Sequence, residues 1–175
     1  MAEAVRRAGG YLSRVTPDLD APYVPDLAAL ASESPLVILG TIRTADARPS
    51  DDNRSVVTRH TVLIERVLRS TRSVRSTALT LDLPGGVLRL PEGVFEVKGP
   101  TALHVGERCV LFLRPEPKHH DRLAAVGMHG EGIFHLDRAS DGIHVHSSAD
   151  RSDLPLKQFD GGSLELLLQS IAELR

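Results

Sequence analysis

The run Gly106-Glu107-Arg108-Cys109-Val110-Leu111-Phe112-Leu113-Arg114-Pro115 constrains this chain more than any other stretch. A turn glycine and two charged residues open it, five apolar residues follow, and Arg114-Pro115 closes it. That is the pattern of a buried β-strand punctuated at both ends. A domain organised around it is mainly β.

The rest of the chain agrees. Leu36 to Ile42 reads as a first strand, apolar enough to be covered on both faces. Ala45 to Asn53 reads as a polar hairpin loop. Ser55 to Leu68 alternates, with Val56, Thr58, His60, Val62 and Ile64 on one face. Past Arg66 the pair Val67-Leu68 breaks the alternation, which predicts a bend or bulge. Ala78 to Leu83 is a third strand, stopped by Pro84-Gly85-Gly86, and short strands follow at Val87 to Leu90 and Val94 to Lys98. Arg122 to Val126 and Gly132 to Leu136 read as the last strands of a barrel, with Ile143 to His146 after the Asp141-Gly142 turn. Asp26 is placed to cap a short helix over Leu27 to Ser32. Ser163 is placed to cap a second helix, with Leu164, Leu167, Leu168, Ile171 and Leu174 on one stripe. The organisation is an N-terminal arm over 1–25, a β domain over 26–160 and a helix over 161–175 docked on it. The expected inward residues are Val37, Leu39, Val62, Ile64, Leu79, Leu81, Val110, Phe112 and Phe134.

Composition narrows the function. The apolar fraction of 41% supplies a core, but aromatic residues are only 3%, so stacking platforms for bases are scarce. A formal net charge of -2 provides no field to attract nucleic acid, so tight binding to it is not expected. Phe95 is the one aromatic expected at a hairpin tip. The single Cys109 excludes an intramolecular disulfide and a multi-cysteine zinc site. Met1 to Tyr11 carries Arg6 and Arg7 with no apolar run behind them, so it does not read as a signal peptide. No run reaches membrane-spanning length.

Five pieces occur in a telling order: Leu36 to Ile42, Val62 to Arg69, Leu83-Pro84-Gly85-Gly86, Gly106 to Leu113, and Gly130-Glu131-Gly132-Ile133-Phe134. In that order, with the terminal helix, the chain resembles a family of bacterial, often exported domains of unknown function. The resemblance implies a five-stranded antiparallel barrel similar to the OB-fold, and within that class to the netrin-like modules of tissue inhibitors of metalloproteinases. It also implies an exported or periplasmic setting. The chain departs from the family at Arg69-Ser70, where Lys-Gly is usual, and in lacking cysteine pairs and a leader. The family offers no catalytic residues to carry over.

Few residues invite chemistry. Six of the eight histidines lie in the last third. His144-x-His146 puts two imidazoles on one side of a strand, and His135 joins them if its strand lies alongside, which would make a metal site. The alternative is histidines on a β edge and in loops, as at His119 and His120. Arg66, Arg69, Arg72 and Arg75 recur every third residue and form a basic rim for an anion or acidic partner, or else a solvated loop. His60, beside Val62 and Ile64, reads as a hydrogen-bonded residue at the core margin. Cys109 reads as an inert buried thiol. No serine has a Gly-x-Ser-x-Gly context, no glycine loop cradles a phosphate, and no cofactor is implied. The expectation is a non-enzymatic binding module for a protein or peptide partner, with metal binding through His135, His144 and His146 as the alternative.

Overall fold

Two long strands, β2 (Leu36–Pro49) and β3 (Val56–Ser70), form the spine of the molecule. The polar stretch expected as a loop at 45–53 is mostly strand: β2 continues to Pro49, because β3 pairs with it down to Pro49↔Val56. Only residues 50–55 turn. The β2–β3 register shifts three times, and two of the shifts skip Leu68 and Glu65, on either side of Arg66-Val67. The computed structural model describes residues 1–15, 22–116, 119–149 and 153–174, with the backbone alone at 119–121.

Around this spine lie β4 (Ala78–Pro84), β7 (Arg108–Glu116), β8 (His119–Ala125), β9 (Ile133–Ala139) and β10 (Gly142–Ser147). The sheet order is β10-β9-β7-β2-β3-β4-β8, and β7 also pairs with β8. Five strands therefore run in a ring: β7, β2, β3, β4, β8. The edge of β7 away from β2 is divided, with residues 108–111 pairing to β9 and 113–116 to β8. The β4–β8 junction is parallel and rests on the single pair Leu81↔Leu123. The molecule is mainly β, with a short helix near the N-terminus and one at the C-terminus, as expected. The expectation of a purely antiparallel barrel is corrected: the sheets are mixed and the ring is not a clear barrel.

A second sheet holds β1 (Tyr11–Val15), β6 (Gly93–Lys98) and β5 (Gly86–Leu90) in the order β1-β6-β5. β1 runs parallel to β6. The arm thus contributes a strand, and before it a helix, α1 (Ala2–Arg7), whose Val5 is fully buried. Val5, Val56, Phe95 and Val97 form a small core there. Phe95, expected at an exposed tip, is buried in it, because the β5–β6 hairpin folds back over β2 and β3.

The main core is double. Ile38, Ile42, Val62, Leu81, Leu111 and Leu113 fill the ring interior. Val37, Leu39, Val110, Phe112 and Phe134 point the other way, onto α2 (Leu27–Ser32), a 3₁₀ turn (Pro155–Phe159) and α3 (Leu164–Glu173). Of the residues expected to line one barrel interior, these five instead join the helical layer. Strict alternation along β2 and β7 sends neighbouring residues to opposite faces, and both faces are covered. Both helix caps form as read: Asp26 accepts the Ala29 N–H at 2.8 Å, and Ser163 accepts that of Leu166 at 3.3 Å.

Candidate functional site

The β9–β10 hairpin lays its polar residues out in rows. His135 lies directly opposite His146, and His144 opposite Asp137. The three histidines proposed for a metal therefore share one face: His144 and His146 by their spacing, His135 because β9 pairs with β10 in this register. Each is held by its own partners. His144 Nδ1 donates to the Gly161 carbonyl at 2.9 Å and Nε2 lies 2.8 Å from Asp141. The Gly161 carbonyl first, then the Asp141 carboxylate, hold its pKa above the ordinary value. His146 pairs with Asp137 at 3.5 Å. His135 contacts Glu107 through Nδ1 and Ser148 through Nε2. Among the described residues no group of three or more His, Cys, Asp or Glu is arranged to hold a metal ion. The side chains of His119 and His120 lie outside the described residues.

The four arginines differ in setting. Arg69 lies in β3 and folds under the end of α2, where its guanidinium donates to the carbonyls of Ala31 and Ser34. A cation there complements the negative end of the helix dipole. Arg66, Arg72 and Arg75 remain exposed. Cys109 is fully buried, and burial, then the charges of Glu107 and Glu65, push its thiol up to about 12, so it is not a nucleophile at neutral pH.

His60 is 1% exposed. Its Nε2 lies 3.3 Å from the Leu103 carbonyl, which assigns the proton to Nε2 and leaves Nδ1 as an acceptor. Nδ1 makes no hydrogen bond. Burial is the main cause of a lowered pKa, so the ring is neutral at pH 7.

His60 borders a cavity of about 390 Å³, and a second of about 340 Å³ lies next to it. Leu83, Pro84 and Thr101 line both. The Pro84-Gly85-Gly86 stop forms part of the wall. Gly85 has φ +103°, and a Cβ on it would come within 2.6 Å of the Gly99 nitrogen, so only glycine fits this crossing. Four of the five buried side-chain polar atoms without a partner, among the described residues, belong to residues lining these cavities. They are His60 Nδ1, Thr101 Oγ1, Arg114 Nε and Glu116 Oε2; the fifth is Arg48 Nε. Nothing in the sequence marks Thr101, Arg114 or Glu116, because their grouping depends on how β4, β7 and the 99–103 segment meet.

Glu131 also carries no sequence signal beyond its place in Gly-Glu-Gly. It is fully buried and accepts the backbone N–H of Val24 at 3.1 Å and of His129 at 2.9 Å. His129 stacks on Tyr23 with centroids 4.0 Å apart. Glu131 thereby staples the segment entering α2 to the loop before β9. Comparison with known protein families and with curated proteins finds no match for this chain.

Proposed function

We propose that this domain is an interaction module that receives an extended segment of a protein or peptide partner in the double groove along Leu83, Pro84 and Thr101. The observation that carries this reading is the concentration of unpartnered buried polar atoms in that one place. Buried polar groups are nearly always paired, and leaving one unpaired costs about 1–3 kcal/mol. Each of these atoms belongs to a residue that lines the cavities, so a partner group that entered and shifted the covering side chains would satisfy it. A peptide brings an N–H and a C=O at every residue. Its N–H suits His60 Nδ1, its carbonyl suits Arg114 Nε, and apolar side chains suit Leu83, Pro84 and Met128.

The order of the five-stranded ring, with one parallel junction and a partly open wall, supports placing the domain with OB-like barrels. Netrin-like modules are the proposed relatives within that class. Peptide phage display against the purified domain, followed by amide-shift mapping, tests the binding reading. Selected peptides should shift Leu83, Thr101 and Met128, and Thr101→Ala should weaken them roughly five-fold, the worth of one hydrogen bond. Absence of enriched sequences, or shifts confined to β9 and β10, would overturn it.

A further inference from the structure

Three adjacent strands bring a glutamate, a histidine and a serine into one row. Cys109 on β7 lies opposite His135 on β9, so Glu107, two residues before Cys109, sits diagonally from His135 on the same face. On the other side His146 lies opposite His135, so Ser148, two residues on, sits on the second diagonal. The Ser148 N–H bonds the Ile133 carbonyl at 3.0 Å and extends the hairpin register to this position. His135 reaches both neighbours: Nδ1 meets Glu107 Oε1, and Nε2 meets Ser148 Oγ. The other carboxylate oxygen of Glu107 accepts the His104 N–H at 2.7 Å, which fixes its orientation. The side chains of His135 and Glu107 are 22% and 20% exposed, and Ser148 is half-buried, so the row is sheltered yet open to a small molecule.

This is the order that nucleophilic catalysis by serine requires: a hydroxyl on Nε2 of an imidazole whose Nδ1–H is held by a carboxylate. We propose that Ser148 is an activated nucleophile that takes the acyl group of short-chain esters, with His135 as its base and Glu107 as a positioning residue. Ser148 Oγ attacks the ester carbonyl while its proton passes to His135 Nε2. The carbon–oxygen bond to the alkoxide breaks, and the alkoxide leaves as the alcohol with that proton. Water, deprotonated by the same imidazole, then hydrolyses acyl-Ser148 to the carboxylic acid and restores the hydroxyl. The N–H next along the chain from the nucleophile is that of Ala149, which donates to Ser147 Oγ at 3.3 Å and is the candidate donor to the developing oxyanion.

The inference is independent of the peptide groove, which shares none of the three residues. It is tested on the intact chain with p-nitrophenyl acetate, by release of p-nitrophenolate and by peptide mass spectrometry of the acid-quenched protein. The acetyl group is expected on Ser148. Ser148→Ala should abolish that label, and His135→Gln should slow acylation roughly hundred-fold or more. Glu107→Gln should slow it too, and Glu107→Asp should restore part of the rate, which a purely structural role does not predict. The unmodified protein decides the matter even where a variant fails to fold. An unlabelled Ser148, with acetyl groups only on lysines or the N-terminus, overturns the proposal. So does turnover that His135→Gln leaves unchanged in a folded protein.

Discussion

Glu131 loses all contact with water and recovers two hydrogen bonds, from the N–H groups of Val24 and His129. Glu131→Ala leaves both donors buried without an acceptor. Urea unfolding should register a loss of about 2–4 kcal/mol, since each orphaned group costs about 1–3 kcal/mol. Glu131→Gln keeps one acceptor oxygen and should lose less. An alanine variant within about 0.5 kcal/mol of the parent would mean that the staple contributes nothing. His60 gives the second residue-scale prediction. Its folded pKa is lowered, chiefly by burial, from an ordinary value near 6.5. Between the two values the unfolded chain binds more protons than the folded one, so stability rises with pH there. The His60 contribution is therefore complete above about 6.5 and is lost as the pH falls toward and through the folded value. Equilibrium unfolding from pH 8 down to pH 5 should show this loss in the parent and a flatter profile in His60→Gln. Equal slopes would refute it. The chemical character of His60 was legible in its strand, since a histidine between apolar neighbours marks the core margin. Its bare Nδ1 was not, because that depends on where the Leu103 carbonyl comes to lie.

At the scale of elements, α3 is the clearest case of local pattern agreeing with packing. Leu164, Leu167 and Ile171 are buried against the helical core, whereas Leu166 stays 49% exposed. Leu167→Ala should lower stability by about 2–5 kcal/mol through transfer and cavity terms. Leu166→Ala should stay within about 0.5 kcal/mol of the parent, and Ser163→Ala should remove about 1 kcal/mol with its cap. Urea midpoints measured side by side check the ranking, and a Leu166 effect equal to that of Leu167 would contradict the docking. α3 was legible because a stripe at helical spacing and a capping serine are both local signals. β1 was not: only Leu12 is even half-buried on it, and it exists because β6 offers a free edge. The extension of β2 to Pro49 was hidden for a related reason. Its polar residues resemble a loop and become strand only because β3 is long enough to pair with them.

At the scale of the whole molecule, none of the four phenylalanines is exposed as a platform for stacking on single-stranded nucleic acid. Phe95, Phe112, Phe134 and Phe159 are all buried, with Phe159 the most exposed at 4%. Arg69 is turned under α2, and Tyr11 donates its hydroxyl to Glu96. With net charge -2 added to this, fluorescence anisotropy against a labelled single-stranded oligonucleotide at about 0.15 M salt should not saturate in the nanomolar range. Saturation there would show a surface that these side chains do not supply. Local sequence alone specifies the strand-rich class, the two helix caps, the buried thiol and the shared face of His144 and His146. All of these follow from period-2 and period-3.6 patterning and from residue chemistry acting over a few positions. Tertiary structure alone decided the two opposed cores, the parallel junctions, the groove beside Pro84 and the row of Glu107, His135 and Ser148. Those depend on which strands become neighbours and in what register, and a one-residue slip in any pairing would send every side chain of that strand to the other face.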